Sequence, residues 1–519
     1  MTAAVSLPAA LRHHAAGTPG APAVVEPART WSFAALDAHA NALAAGLAVS
    51  GVRPGDRVAL LAVPSATAIA LLAAAGRIGA CVAPLGTRLT VPELDAAARE
   101  ITPCLVVHDA DHVVPAEEMG LPAVGLEELA ALGTGSAIPA GTADLADLAV
   151  AVLTSGTTGR PKAALLSHVA LAASAAAWAA ALPPATGWLL CLGLAHVAGL
   201  GVVWRSIAAG VPLHVVPAFD AGAVLARLRE GQATHVSLVP TQLARLLDAE
   251  ETSGGTVATP RAAGASEGAR LDGAHSALRA VLLGGGATPP ALVTRALAAG
   301  WPVVPTYGLT EAASGVTALA TIDATARPWS AGRPLPGVEV RIVPPPGDRP
   351  GGGPGDIEVR TPAAFSGYLG RPDATAGSIG PEGWLRTGDT GRLDAEGYLQ
   401  VLDRRDDLFV SGGENVSPAE VEAVIEQHPA VAEAGVVGRP DPTWGTVAAA
   451  ALVLRPGAPR PTNAELHAFC LARLAPYKVP AVFRVVSGLP RTDSGKLQRR
   501  ELRRLFAELP ATPTSRVRA

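Results

Sequence analysis

The chain has 519 residues, 49% hydrophobic and only 17% charged, a balance that excludes global disorder and supplies core for more than one folding unit. Forty-one Lys and Arg against 45 Asp and Glu leave a formal charge of −4, which makes no electrostatic case for a nucleic-acid or anionic-membrane partner. Cys81, Cys104, Cys191 and Cys470 lie far apart and form no C-x-x-C, so neither a disulfide framework nor a zinc cluster is readable, and a reducing cytoplasm is the simplest compartment.

Taken in chain order, helical and strand patterns alternate. Met1-Thr2-Ala3 lacks a basic targeting region, and Pro8 and Arg12 break any apolar one. Ser32 can cap a helix whose apolar positions Phe33, Leu36, Ala40, Leu43 and Leu47 recur at three- and four-residue steps. Gly51 ends that helix, Pro54-Gly55-Asp56 turns, and Val58–Val63 reads as a buried strand. The rhythm returns at Leu105–Val107, Leu148–Leu153 and Val303–Pro305, which predicts an α/β architecture with largely parallel sheets.

Mean hydropathy is positive, and no charged residue occurs from Ala163 to Trp204. Pro183-Pro184 and Gly187 break that run, and Val169–Leu182 falls short of the ~20 residues a spanning helix needs. No membrane span is therefore expected. Glu251 to Ala274 is rich in Gly, Ala, Ser and Thr without apolar period and reads as a surface insertion. The Pro/Gly run from Pro344 to Gly355 reads as a long turn between strands Val338–Val343 and Ile357–Arg360, and Pro510 onward as a frayed tail.

Near residue 400 the texture changes. A strand at Leu399–Leu402 is followed by the charged cluster Asp403 to Asp407, then by Ser417-Pro418-Ala419-Glu420, which has the form of a capping box. Two further strand patterns and another helix suffice for a small α+β domain. The expected division is 1–405 and 406–519, with Asp406 at the junction.

The most informative segment is Thr154-Ser155-Gly156-Thr157-Thr158-Gly159-Arg160-Pro161-Lys162, at the carboxyl end of a predicted strand. Its glycines let the backbone turn N–H groups inward, its hydroxyls add donors and Lys162 adds positive charge, a combination suited to polyphosphate. It is not a Walker A loop, because Pro161 separates the second glycine from the lysine. Taken alone, it also reads as a polar surface turn.

Further motifs follow in order: Tyr307-Gly308-Leu309-Thr310-Glu311, Thr387-Gly388-Asp389, Asp403-Arg404 and Ser494-Gly495-Lys496. With the Thr/Ser/Gly loop, this ordered set resembles the adenylate-forming superfamily of acyl- and aryl-CoA ligases, peptide-synthetase adenylation domains and luciferases, over about residues 10–502. The resemblance implies a large multi-sheet α/β N-terminal domain that binds ATP, and a small mobile α+β C-terminal domain. It implies ATP, Mg²⁺ and coenzyme A, with a small carboxylate as substrate; the oligomeric state stays open, a homo-oligomer included.

Each match has a chemical reason. Thr154, Ser155, Gly156, Thr157, Thr158, Gly159 and Lys162 would hold the phosphates. Gly284-Gly285-Gly286-Ala287 follows the apolar strand Ala280–Leu283 and leaves bare backbone for a flat purine. Thr306, Tyr307 and Gly308 continue that surface, Tyr307 offering an aromatic face. Thr310 can donate to a phosphate oxygen, and Glu311 is a hard oxygen ligand for Mg²⁺. By the resemblance Asp389 accepts the ribose hydroxyls, Arg404 reinforces that grip, Lys496 supplies charge during adenylation and Gly413 lines the coenzyme A tunnel. His196 matches a histidine beside the acyl pocket, although Gly193 and Ala195 stand where proline and an aromatic residue are usual.

Among subfamilies the chain is most similar to the o-succinylbenzoate–CoA ligases of menaquinone biosynthesis, through Pro84–Thr90, Ser237–Leu243, Gly201–Arg205 and Asp403-Arg404-Arg405. That substrate carries two carboxylates, and Arg205, with no other charged residue for some distance either side, is the candidate to meet the one left in an apolar pocket. Other aryl or medium-chain acids, or a carrier protein as acceptor, remain alternatives.

Overall fold

The computed structural model describes residues 5–136, 146–154, 161–252, 277–286, 288–344, 354–404, 408–490 and 497–507. It divides into two compact units. One comprises Met1–Thr87, Ile101–Leu153 and Ala163–Asp403; the other comprises Arg88–Glu100, Thr154–Lys162 and Arg404–Ala519. Asp406, the expected junction, lies outside the described residues.

In the first unit the early pattern folds as its sequence reads. Ser32 Oγ accepts from the Ala35 amide at 3.2 Å and opens the helix Phe33–Val49, whose Phe33, Leu36, Ala40, Leu43 and Leu47 are all buried. The helix Ala66–Arg77 is buried on every side, as an apolar helix in the middle of a large core must be. Its terminal Arg77 is kept from being an unpaired buried charge by Asp37 and Asn41.

Two large sheets form among the described residues. The seven-stranded sheet runs Gly367–Tyr368, Lys162–Ser167, Leu148–Thr154, Cys81–Pro84, Arg57–Leu61, Leu105–His108, Ala123–Gly125, with parallel pairing across its last five strands. The nine-stranded sheet runs Arg333–Pro334, Thr317–Ala318, Val303–Tyr307, Ala280–Leu283, His235–Leu238, Trp188–Leu190, Leu213–Val215, Pro22–Val25, Thr30–Ser32. Its central strands are parallel and only its edges are antiparallel.

The strand order of that second sheet contains one reversal. From Trp188–Leu190 the chain crosses to one side, to Leu213–Val215; the next strand, His235–Leu238, returns to the other side of Trp188–Leu190. The connections therefore diverge between Trp188–Leu190 and His235–Leu238, and the crevice opened at such a switch, at the carboxyl ends of the strands, is where open α/β sheets take ligands.

The first two residues of the expected surface insertion, Glu251 and Thr252, belong to a helix. The helix Pro240–Thr252 continues through Glu251, which pairs with Arg295 at 2.8 Å, while Glu250 accepts from the Trp301 indole at 2.9 Å. These two long-range partners extend the helix past the loss of apolar period; residues 253–276 lie outside the described residues. The two strands expected on either side of the Pro/Gly run form, as Glu339–Val343 and Gly355–Arg360, and pair antiparallel; residues 345–353 between them lie outside the described residues.

In the second unit a three-stranded sheet, Val431–Asp441, Gly445–Leu454 and Val482–Val485, is accompanied by the hairpin Phe409–Ser411/Glu414–Val416 and by helices Pro418–Ile425, Asn463–Leu471 and Arg499–Ala507. This is more structure than the two strands and one further helix expected. The capping box anticipated at Ser417/Glu420 does not form: Ser417 is the N-cap residue but makes no side-chain cap bond, and Glu420 instead accepts from Lys478 at 2.7 Å. A buried carboxylate gains more from an ammonium than from a backbone amide. The box forms at Thr462 and Glu465, where both reciprocal bonds are present.

Lys478 is buried and also donates to Glu93 at 2.7 Å, which ties the segment Arg88–Glu100 into this unit. Burial alone would lower the lysine pKa, but Tyr477, Glu420 and Glu93 outweigh it and hold the ammonium above the ordinary lysine range. Arg88 adds an ion pair to Glu414 and sits over the Tyr477 ring.

Candidate active site

The first unit assembles two polar groups of site residues. One is built where the strand Val303–Tyr307 ends. Tyr307 is buried and its hydroxyl donates to Asp389 Oδ2 at 2.7 Å, so the expected adenine and ribose residues are in direct contact across 82 positions of sequence. The Asp389 amide donates to Thr387 Oγ1 at 3.1 Å, and Thr387 Oγ1 donates to the Ile357 carbonyl at 2.8 Å, which holds the Thr387-Gly388-Asp389 segment in place. Thr306 Oγ1 donates to the Leu283 carbonyl at 3.3 Å, joining this strand to the one that leads into Gly284, Gly285 and Gly286.

After Tyr307 the chain makes a short 3₁₀ turn, Thr310–Ala312, that carries Thr310 and Glu311. Gly308 is required here by close approach: a Cβ would stand 1.5 Å from the Ser314 carbonyl oxygen. Glu311 Oε1 accepts from the Tyr368 hydroxyl at 2.6 Å, and the Glu311 carbonyl accepts from the Phe365 amide at 2.8 Å. Tyr368 was not foreseen, because its partner lies 57 residues away and nothing local marks it. Among the described residues no three acidic, His or Cys side chains gather as a metal cage. One fixed carboxylate suits Mg²⁺, which takes one or two protein carboxylates and completes its shell with phosphate oxygens and water.

The second group gathers around Arg205, against the strands Trp188–Leu190 and His235–Leu238. Arg205, on the helix Val197–Ala209, is 5% exposed rather than at a solvated helix end. Its guanidinium donates to Ser237 Oγ at 3.4 Å and to Ser314 Oγ at 3.2 Å, and lies over the rings of Trp178 and Trp188 at 4.9 and 5.4 Å. Its Nε has no acceptor, and among the described residues no carboxylate pairs with it. Burial pushes its pKa down to about 9. Ser314, Trp178 and Trp188 were not singled out in the sequence; they converge only through tertiary structure. His196 is the N-cap residue of the same helix and is half-buried, with its carbonyl accepting from the Gly199 and Leu200 amides.

The second unit holds four further candidates among the described residues, Thr154, Lys162, Arg404 and Gly413. Thr154 Oγ1 donates to the Lys162 carbonyl at 3.3 Å, joining the two ends of the Thr/Ser/Gly loop. Gly413 sits with Gly412 at the tip of the hairpin, with φ of 90° and 58°; two successive positive values are the geometry of a two-residue type I′ turn. Arg404 closes the strand Leu399–Arg404. Ser155, Gly156, Thr157, Thr158, Gly159, Ala287 and Lys496 lie outside the described residues.

The pattern for AMP-binding enzymes matches residues 11–369, more than half of the chain, and that for the AMP-binding enzyme C-terminal domain matches 420–496. The chain belongs to the AMP-binding enzyme family. Within that family it is 37% identical to a 2-succinylbenzoate–CoA ligase of Geobacillus kaustophilus, over 98% of this chain and 99% of that protein. It is 36% identical to a feruloyl-CoA synthase of an Amycolatopsis species, over 94% of this chain and 96% of that one. Among solved structures, a double mutant of the o-succinylbenzoate–CoA synthetase of Bacillus subtilis, bound to a product analogue, superposes with a TM-score of 0.86 at 33% identity, covering 95% of this chain and 98% of that one. The mixed α/β fold expected from the sequence is therefore that of this family. No helix among the described residues is long and apolar enough to cross a membrane.

Proposed function

We propose that this AMP-binding enzyme is an ATP-dependent carboxylic acid–CoA ligase whose acid is an aromatic dicarboxylate, o-succinylbenzoate. In the first half-reaction a carboxylate oxygen bonds to the α-phosphorus of ATP, the bond to the β-phosphate oxygen breaks, and pyrophosphate leaves an acyl-adenylate. In the second, the thiol sulfur of coenzyme A bonds to the acyl carbon, the thiol gives up its proton, and AMP departs as the thioester forms.

Tyr307 and Asp389 orient the nucleoside, Thr310 donates to a phosphate oxygen, and Glu311 is the ligand for Mg²⁺. When bound, that ion withdraws charge from the phosphates. Thr154 to Gly159 with Lys162, and Lys496 from the C-terminal region, complete the phosphate contacts. Gly285, Gly286 and Ala287 with Thr306 and Gly308 form the purine surface, Arg404 assists Asp389, His196 borders the acyl pocket and Gly413 faces the pantetheine arm. The proposed domains are 1–405 and 406–519, with Asp406 as the hinge.

One observation carries the choice of acid. Arg205 is a buried cation without an anionic partner among the described residues, and it is met by hydroxyls and indole faces. Burying such a charge is costly unless it is paired, so these surroundings suit an anion that arrives with the substrate. An acid with one carboxylate presents that group to ATP and leaves Arg205 unmatched; a dicarboxylate satisfies both. The similarity to the feruloyl-CoA synthase supports a second reading, a cinnamate-type acid, whose ring would pack against the indoles instead. A pyrophosphate-release screen over mono- and dicarboxylic aryl acids, with and without coenzyme A, decides between them. Turnover that prefers the dicarboxylate and requires coenzyme A for thioester supports the proposal; preference for a monocarboxylate overturns the choice of acid.

A further inference from the structure

Immediately after Glu311 the backbone enters a conformation that side chains other than glycine rarely adopt. Ala313 has φ 46° and Ser314 has φ 89°, two left-handed residues in succession and neither a glycine. Such backbone persists only where its surroundings over-determine it. Local bonds contribute: the Ala313 amide donates to the Thr310 carbonyl at 3.0 Å and the Ser314 amide to the Leu309 carbonyl at 3.1 Å. The remaining support comes from the distant helix His168–Ala181. There Ser174, buried, donates its hydroxyl to the Ala313 carbonyl at 2.7 Å across 139 positions of sequence. One turn later on the same helix, Trp178 abuts Gly315, and a Cβ at Gly315 would stand 2.3 Å from its indole nitrogen.

The turn so held has a functional group on each side. Two residues before Ala313 is Glu311, fixed by Tyr368; one residue after it is Ser314, whose hydroxyl receives the Arg205 guanidinium at 3.2 Å. We propose that Ser174 is a positioning residue for both halves of the active site, fixing the Ala313–Ser314 turn so that Glu311 meets the nucleotide and Ser314 aims Arg205 at the acid. Its role toward Arg205 rests on the dicarboxylate reading; its role toward Glu311 does not.

Removing the hydroxyl leaves a buried carbonyl without its donor and frees the turn to leave the left-handed region. Glu311 and Ser314 then shift together. Misplacement of this kind, away from the reacting atoms, can lower the rate by up to about 100-fold.

The test uses the full chain and ATP–pyrophosphate exchange with o-succinylbenzoate and with a monocarboxylic aryl analogue. Ser174→Ala is expected to lower kcat at least about tenfold for both acids, and to raise KM for the dicarboxylate alone. Ala313→Gly, placed in the Ser174→Ala background, lets the backbone hold the left-handed turn without strain, and is expected to restore part of kcat. That rescue is foreign to a role in helix packing alone. Ser174→Cys keeps the volume and weakens the donor, so an intermediate loss is expected, and it serves if Ser174→Ala fails to fold. Folded variants with wild-type kcat and KM for both acids would overturn the proposal, as would a loss that Ala313→Gly does not relieve. Arg205→Ala, run alongside, separates the two readings: if it leaves the preference between acids unchanged, the dicarboxylate reading fails while the kcat comparison still decides the turn.

Discussion

Two buried cations in this chain are treated in opposite ways. Lys478 in the second unit is met by Glu93 and Glu420, each at 2.7 Å, and its charge is held above the ordinary lysine range. Arg205 in the first unit is met by two serine hydroxyls and two indole faces, and burial pushes its pKa down to about 9. The lysine has its counter-charges from the chain itself, so its task is to hold segments together. The arginine carries a desolvation cost that no described acid offsets, which is tolerable when a ligand supplies the missing charge. Burial of a charge alone does not mark a site; burial without a counter-charge does.

The contrast can be broken most forcefully by stability. Lys478→Met leaves two buried carboxylates without their cation and is expected to cost about 3–5 kcal/mol, read as a lower urea midpoint. Arg205→Met strands no acid among the described residues and is expected to be neutral or stabilising in the same measurement. Equal losses would erase the distinction. A smaller effect concerns pH. A guanidinium with a pKa near 9 loses its charge as pH rises through that value, so kcat/KM for the dicarboxylate should fall above about pH 9. The monocarboxylic analogue should lack this limb, and its presence for both acids would assign the titration elsewhere. The smallest effect belongs to residues 253–274. Replacing them with a short Gly-Ser linker should leave the melting temperature and turnover near wild type, since closure entropy changes slowly with loop length; loss of coenzyme A-dependent activity in a folded variant would show that the segment serves catalysis.

What could be read from the sequence follows the range of the forces involved. The helix Phe33–Val49 with its Ser32 cap and the strand Ala280–Leu283 are set by periodicity and neighbours within four residues, and they form as read. The residues proposed to hold the nucleotide lie in compact motifs, so the proposal could name them from the sequence. Arg205 stood out as an isolated charge, but Ser237 and Ser314, 32 and 109 residues distant, become its partners only once the sheet is built. Glu420 shows the same limit from the other side. Its local spacing pointed to a cap, and a lysine 58 residues away took it. The same competition extended the helix Pro240–Thr252, where Arg295 and Trp301 reach back to Glu251 and Glu250.

The most direct measurement is the ratio of kcat/KM for o-succinylbenzoate to that for its monocarboxylic analogue, in the wild type and in Arg205→Ala. Truncating one partner of a buried, hydrogen-bonded charge pair costs about 2–5 kcal/mol, so the ratio should fall by about 30-fold or more while the analogue is turned over at close to its wild-type efficiency. An unchanged ratio would mean that no second carboxylate reaches Arg205, and the acid would then be a different one.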